Sequence, residues 1–531
     1  VPRKRPVFRF TLPPTRAVPR KRPVFRFTLP PTRAEPRKRP VICLPPRPQR
    51  PNLDASLKAQ HPRRYTRPVG TAPTDPTDSA IDPVPFRERG IDAARAAVLS
   101  RLVEQATAFP QLTIPPLDTA TLSPRDAAFA HALYDAVLRR WLTLRFLLKR
   151  FVTQPFDMLE PAAKAALLCG SAQIILLDKV PIHAAIDETV EWAKRHIRPG
   201  AAGLVNAVLR KLAPAKENMD ATPWTPRADE LPLAWGRLRL PPGWLPPDPS
   251  QSLSAATSHP VWLMQRWIKE FGVSEAARIA HHSLASPPIT LCTLYAVPPL
   301  PDSCVPHSRP GHHVFAGHRT ELEALLESRR DLWVQDAAST EAIESVADLR
   351  PRIIVDACAG QGTKTRQLAA RFPDATIIAT DLDDTRLATL RRVFTSHPRV
   401  QVVTVADLYN TVAKRADLIL LDVPCSNSGV LTRRVEARYR VDQPQLDRVR
   451  TAQEALLRQA ASMLSPDGHI LYSTCSLERE ENDERAHWAA QTLSMSVSRT
   501  RRTLPTGGPG DDPTQYTDGS FSALLSHAPI A

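Results

Sequence analysis

Long apolar runs are missing from this sequence. No stretch approaches the roughly 18 residues that a membrane span needs, and the first residues lack the apolar segment of a secretory signal. A soluble, cytoplasmic protein is the expectation. Cysteine is sparse: Cys43, Cys169, Cys292, Cys304, Cys358, Cys425 and Cys475 form an odd set without a C-x-x-C pair. That excludes a disulfide framework and a zinc knuckle, fits a reducing compartment and leads us to expect no metal. Acidic residues are nearly absent from one place, since residues 1–50 hold fifteen Lys and Arg against Glu35 alone, leaving +2 of the formal +16 for everything after. The basic balance thus belongs to the first fifty residues and does not by itself argue that the folded part grips nucleic acid.

What is plentiful is proline, 55 residues of it, crowded into 1–90, 213–260 and 287–310 as linkers and a disordered leader would be. The leader contains a perfect tandem copy, VPRKRPVFRFTLPPTRA at 1–17 and again at 18–34, with a decaying third copy after it. Such a repeat buries no core, so residues 1–89 are read as a disordered basic leader. At 531 residues the remainder still exceeds what one core serves, and several domains are expected.

From 90 to 213 apolar residues recur at helical spacing, as in PRDAAFAHALYDAVLRRWLTLRFLLKRF and AAGLVNAVLRKL, which predicts an all-α domain. Among its surface charges Arg125, Arg139, Arg140, Arg210 and Lys211 are candidates for phosphate contact, although helix-surface charges are more often simply solvated. Residues 214–257 lack a period and read as a linker. A helix pair followed by short β-prone pieces predicts a small α+β subdomain over 258–345. From 346 to 531 strands alternate with helices (IIVDA, TIIATDL, VQVVTV, DLILLDV, HILYSTC), which implies a parallel, doubly wound α/β sheet of the Rossmann-like kind.

Three motifs at the strand ends carry the chemistry. The first strand ends in Asp356 and runs into a loop, Cys358-Ala359-Gly360-Gln361-Gly362-Thr363-Lys364, that opens a helix; nineteen residues past Gly362 the second strand ends in Asp381. Glycines let a backbone approach a nucleotide-like ligand, and an acid at that distance accepts hydrogen bonds from ribose hydroxyls. The loop is neither G-x-G-x-x-G nor a Walker P-loop, which disfavours a dehydrogenase or a kinase; adenosylmethionine shares the ribose logic.

The fourth and fifth strands end in DVPCSNSG (422–429) and STCS (473–476), each delivering one cysteine. In the order 3-2-1-4-5 these strands are neighbours about 4.8 Å apart, so Cys425 and Cys475 are expected to face one pocket beside the glycine loop. A thiol next to a methyl donor has a purpose: carbon 5 of cytosine becomes nucleophilic only after a thiolate adds to carbon 6. Asp422 is placed to hydrogen-bond the ring at N3 and the amino group, and a second thiol assists the elimination that follows. Which cysteine attacks is left open by the chemistry alone.

These motifs resemble those of the Sun/RsmB family of RNA cytosine-5 methyltransferases, over residues 90 to about 525. The family's P-C-S-x-[ST]-G stands as Pro424-Cys425-Ser426-Asn427-Ser428-Gly429, and its T-C-S as Thr474-Cys475-Ser476 followed by Glu480-Glu481-Asn482. Val334-Gln335-Asp336-Ala337-Ala338-Ser339 and Asp518-Gly519-Ser520-Phe521 are similar to two further family elements. The cofactor loop departs from the usual C-A-A-P-G-G-K-T at Gln361 and Thr363, and RRVEARYR (433–440) stands where R-R-H-P-D-x-x-W is frequent. The resemblance implies S-adenosyl-L-methionine as cofactor, held by Cys358 to Lys364, Asp381, Asp407 and Asp422. It implies Cys475 as nucleophile and Cys425 as the residue that aids product release. The helical region is similar to a NusB-type RNA-binding domain through LLDKVPIHAAIDETVEWAKR and GLVNAVLRKL, which points to small-subunit rRNA as the partner, met single-stranded or locally opened. A monomer is expected. The rival reading is a non-catalytic RNA-binding assembly factor that keeps the fold. A DNA cytosine methyltransferase is disfavoured by Cys475, because that class carries its nucleophile in the P-C motif and lacks the T-C-S partner.

Overall fold

A computed structural model describes residues 92–226 and 229–527; the leader expected at 1–89 lies outside the described residues. The helical region begins with α1 (Ala93–Ala108), whose Asp92 side chain accepts from the Arg95 amide at 2.8 Å, and α2 (Pro124–Leu148), capped by Ser123 with proline in its first turn. The helices α3 (Pro161–Ile175), α4 (Ile182–His196) and α5 (Ala201–Leu212) complete it. Helix α3 is apolar all round, and its residues from Ala165 to Ile175 are all buried because α1, α2, α4 and α5 surround it. No helix among the described residues is long and apolar enough to cross a membrane.

The stretch 214–257, read as a linker, carries structure of its own. Strands β1 (Met219–Asp220), β2 (Glu230–Pro232) and β3 (Arg237–Arg239) form an antiparallel sheet in the order β1-β3-β2, and α6 (Pro249–Thr257) follows with Asp248 as its cap. Two- and three-residue strands are too short to leave an alternation in the sequence. Helices α7 (Val261–Phe271) and α8 (Val273–His282) lead into a second antiparallel sheet, order β5-β6-β4-β7, made of β4 (Thr290–Cys292), β5 (Cys304–Pro306), β6 (His312–Phe315) and β7 (Trp333–Val334). Helix α9 (Arg319–Ser328) crosses between β6 and β7, and α10 (Ala337–Glu344) connects onward.

The large sheet has the order β10-β9-β8-β11-β12-β14-β13. Its parallel strands are β8 (Ile353–Asp356), β9 (Thr376–Ala379), β10 (Val400–Val402), β11 (Ala416–Asp422) and β12 (Leu464–Thr474). They run in the 3-2-1-4-5 order that the motif spacing predicts. The edge differs from an all-parallel sheet: β13 (Met495–Thr503) and β14 (Ser520–His527) form an antiparallel pair, and β14 lies antiparallel to β12. Helices α11 (Thr363–Arg371), α12 (Asp384–Phe394), α13 (Val405–Val412), α14 (Ala437–Arg440), α15 (Gln443–Met463) and α16 (Asp483–Thr492) wind around it. Alternate residues of the strands serve different faces. Ile419, Leu421, Ile470 and Tyr472 pack with Leu457, Ala460 and Met463 of α15, whereas Leu418, Leu420 and Leu471 pack with Leu368, Leu390 and Phe394.

Two of the arginines proposed for phosphate contact take another role. Arg139 and Arg140 are buried where α2 meets the rest of the molecule. Arg139 Nη1 donates to the carbonyls of Ser283, Ala285 and Thr432 at 3.2, 3.0 and 3.0 Å, and Arg140 Nη1 to that of Pro232 at 2.8 Å. From the other side Arg438 of α14, wholly buried, donates to the carbonyls of Arg139 and Ser283 at 2.9 and 2.8 Å. Burial and the adjacent Arg438 bring Arg140 down to about 9. These side chains tie the helical region to the segment that follows Cys425 by donating to buried backbone carbonyls on both sides of the junction. Arg125, Arg210 and Lys211 are exposed.

Candidate active site

The C-terminal ends of β8, β9, β11 and β12 lie along one edge of the sheet, with Asp356 beside Leu420 and Asp422 beside Ser473 in register. In the loop after β8, the Gly360 amide donates to Asp381 Oδ2 at 2.9 Å and the Asp383 amide to Oδ1 at 2.9 Å, so Asp381 fastens the loop to the end of β9. Gly362 has φ +95, and a Cβ there would stand 2.6 Å from Phe394 of α12, so both backbone and space demand glycine. Gly362→Ala is expected to destabilise the fold by about 3 kcal/mol. Gly360→Ala, with φ +58 but open space around it, should cost about 1 kcal/mol. Thermal or urea denaturation of the two variants compares them directly. Gln361 and Thr363, the two departures in this loop, are exposed.

Beneath the loop, Asp356 is fully buried and receives the Thr365 hydroxyl on Oδ2 at 2.6 Å, while its Oδ1 has no partner among the described residues. Burial, with the Asp422 charge adding to it, pushes the carboxyl up to about 7 against the pull of Thr365 and Lys364. Lys364 Nζ pairs with Asp422 Oδ1 at 2.9 Å. Burial works against its charge, but Asp422, Cys475 and Asp356 together hold the ammonium above the ordinary lysine range. Cys358 stays a thiol, since burial and the acids around it push its ionisation upward. Asp407 stands on the exposed first turn of α13, where it takes the Thr404 hydroxyl at 2.6 Å and closes that helix's N-terminus.

Cys425 and Cys475, fifty residues apart, come together with their sulfurs at 3.1 Å. Asn427 spans them, accepting from Cys475 Sγ at 3.3 Å and donating to the Cys425 carbonyl at 3.0 Å. Its φ of +61 is the left-handed conformation that asparagine tolerates better than most residues. The hydrogen bond between the thiols, with burial and the nearby Cys475 and Glu481 charges, raises Cys425 well above a free thiol. Either thiol can donate across this contact, and Cys475 also donates to Asn427. Cys475 is the more exposed of the two. The backbone is close here too, for the Gly429 amide donates to the Cys475 carbonyl at 2.9 Å and a Cβ on Gly429 would sit 2.7 Å from that oxygen.

Around this pair lie residues whose roles sequence reasoning did not reach. Glu481 and Asn482, visible only as part of the E-E-N motif, are both buried and hydrogen-bonded to the residues flanking the cysteines. Arg433, Asp336 and Asp518 come from three distant segments: Arg433 donates to Asp518 at 2.7 Å and to Asp336 at 3.3 Å, while the Asp518 amide donates to Asp336 at 3.1 Å. Burial and the neighbouring Asp518 push Asp336 up to about 7, with Arg433 opposing. The two family elements around Asp336 and Asp518 thus meet at one arginine just downstream of Cys425. Only their presence as motifs signalled them.

Comparison with known proteins adds to this geometry. Residues 347–504 match the family described as 16S rRNA methyltransferase RsmB/F, and residues 92–214 match the NusB family. Ribosomal RNA small subunit methyltransferase B of Xanthomonas campestris pv. campestris is 30% identical over 426 residues, which cover 76% of this chain and 90% of that protein. The protein of the same name from Thermus thermophilus is 30% identical over 364 residues, covering 68% and 77% respectively. Among solved structures, PH0851 superposes with a TM-score of 0.60 at 18% identity, over 82% of this chain and 99% of its own, a likeness of fold.

Proposed function

The chain belongs to the RsmB/F family of 16S rRNA methyltransferases, and from that premise we propose that it methylates carbon 5 of a cytosine in small-subunit rRNA through a covalent bond to Cys475. The observation that carries this reading is the thiol pair, two sulfurs 3.1 Å apart at the ends of adjacent strands, next to the Lys364–Asp422 ion pair. Packing alone does not call for two hydrogen-bonded thiols at a strand-end cleft, whereas cytosine-5 chemistry needs one thiol to add and a second group to assist departure.

The cofactor in this reading is S-adenosyl-L-methionine, held by Cys358, Ala359, Gly360, Gln361, Gly362, Thr363 and Lys364 with Asp381, Asp407 and Asp422. The residues fit it: a loop of two positive-φ glycines bares its backbone, and Asp356 Oδ1 is a buried acceptor with no partner among the described residues. When bound it supplies the methyl group. The chain's own residues do the rest. Cys475 adds to carbon 6 of the cytosine, and the electron pair displaced from the ring double bond makes carbon 5 nucleophilic. As the sulfur adds, the thiol's proton is taken up at N3, and the Asp422 carboxylate, oriented by Lys364, accepts from the N3–H so formed and from the amino group. After carbon 5 has gained its methyl group, its proton passes to solvent, the electron pair of that bond re-forms the ring double bond as the carbon 6–sulfur bond breaks, and Cys475 leaves as the thiolate, which a hydrogen bond from the Cys425 thiol stabilises.

A base inside a stacked helix presents neither carbon to a thiol, so the RNA is met single-stranded or opened. The NusB-like helices over 90–213 are assigned to RNA binding, with exposed Arg125, Arg210 and Lys211 available to phosphates and Arg139 and Arg140 withdrawn from that role. We keep the division at 213/214, 257/258 and 345/346, with 214–257 as a structured strap rather than a free linker. Mapping 5-methylcytosine in small-subunit rRNA tests the reading. A strain lacking the gene should lose one methylated cytosine, and the full chain with S-adenosylmethionine should restore it in vitro. An unchanged map would end the proposal.

A further inference from the structure

Each reactive cysteine is followed by a serine, and both serines are held by one carboxylate. Glu481 Oε1 accepts from the Ser426 amide at 2.9 Å and from Gln453 Nε2 at 3.1 Å, while Oε2 accepts from the Ser476 hydroxyl at 2.6 Å. The two serine hydroxyls meet at 3.0 Å. The next residue, Asn482, works on one loop alone: its Oδ1 accepts from Thr474 and its Nδ2 donates to the Ser476 carbonyl, at 2.6 and 2.8 Å. Asn482 therefore fixes the residues on either side of Cys475, and Glu481 joins that fixed loop to the Cys425 loop. Both side chains are wholly buried.

We infer that Glu481 is a positioning residue that sets the separation of Cys425 from Cys475, and with it the release half of the reaction. The inference rests on the reading of the thiol pair given above. Two strand ends about 4.8 Å apart leave their loops free to diverge, and only hydrogen bonds that cross between the loops hold two sulfurs in contact. A carboxylate suits the task because both oxygens accept, so one group takes donors from both loops at once. Burial raises its ionisation, and the Ser426 and Ser476 bonds oppose that rise; these donors are what the charged form needs and what a neutral amide would receive less well. With Glu481 altered, Cys475 stays in place through Asn482, while the Cys425 loop keeps its crossings at Asn427 and Gly429 but loses the one at Ser426, so Cys425 shifts from the sulfur, and addition and methyl transfer persist while elimination slows.

The test uses the full chain with unmodified small-subunit rRNA made by transcription and with S-adenosylmethionine. Protein–RNA adduct surviving denaturant is measured beside turnover for wild type, Glu481→Gln, Cys425→Ala and Cys475→Ala. Glu481→Gln is expected to lower kcat about tenfold or more, leave KM for S-adenosylmethionine unchanged and accumulate adduct that wild type does not. A merely structural role would lower soluble yield or kcat without adduct. Ser476→Ala, which removes the hydroxyl donor to Oε2, should shift both readouts the same way and serves if the first variant does not fold. Wild-type turnover, or lowered turnover without adduct, in a folded Glu481→Gln overturns the inference. Cys475→Ala that still turns over and Cys425→Ala that forms no adduct overturn the thiol-pair reading instead, so the two failures are told apart.

Discussion

Cys475→Ala should remove methyl transfer to RNA altogether, a loss on the order of 10^4-fold or more, as when a covalent nucleophile is deleted from an enzyme that retains its binding machinery. The size of the effect follows from what the thiolate does. In the proposed reaction it does not merely bind the base: by adding to carbon 6 it creates the electron density at carbon 5 on which the remaining steps depend. No neighbouring group replaces it. Cys425 is more buried and its ionisation is pushed well above a free thiol, and the serines at 426 and 476 are engaged with Glu481 and with each other. The substitution should leave the fold intact, since the Cys475 side chain is only partly buried and its neighbours on the strand end are fixed through Asn482. Single-turnover transfer from labelled S-adenosylmethionine, beside the dissociation constant of the cofactor, checks this. Loss of transfer with unchanged cofactor binding supports the assignment, and transfer at the wild-type rate refutes it.

Much of this site is legible in the sequence because its parts sit at strand ends. A strand that closes on Asp356, Asp422 or Thr474 declares where the sheet stops, and the doubly wound order then dictates which ends are neighbours. Cys425 and Cys475 could be brought together from that alone. The antiparallel β13–β14 pair was harder to read, since Met495–Thr503 is mostly exposed on an edge and carries no continuous apolar run. Arg139 and Arg140 misled for a different reason. A helical period shows which face of a helix is apolar, but it does not show that a second domain will cover the polar face, and here Arg438 and the backbone near Ser283 and Thr432 do so. Glu481 was hidden in the same way: its meaning lies in bonds to Ser426 and Gln453, 55 and 28 residues distant, and one sequence has no signal for a hydrogen bond across that gap.

Cys425→Ala should give the opposite phenotype from loss of the nucleophile: a protein that reacts and then fails to let go. In the proposed reaction, methylated cytosine attached to Cys475 leaves only when the proton on carbon 5 is removed and the sulfur departs with its electron pair. The departing thiolate is a better leaving group when a hydrogen bond awaits it. In the proposed reaction Cys425 supplies that bond, because the two sulfurs lie 3.1 Å apart, within reach of a thiol hydrogen, and the Cys425 ionisation is pushed well above a free thiol. Alanine removes the donor and opens a small space beside the sulfur, while Asn427, Glu481 and Asn482 keep their partners at the backbone and at the serines. Addition and methyl transfer should therefore proceed once per enzyme, and turnover should fall by about 10^2-fold or more, the usual contribution of a positioned proton donor or acceptor. Gel electrophoresis in denaturant should then show a protein–RNA band that depends on S-adenosylmethionine and disappears in the Cys425→Ala, Cys475→Ala double variant. Absence of that band with wild-type turnover would assign elimination to water or another side chain. A band in the double variant would mean that the bond to RNA is made by some residue other than Cys475, and the order of events at the thiol pair would have to be reversed or abandoned.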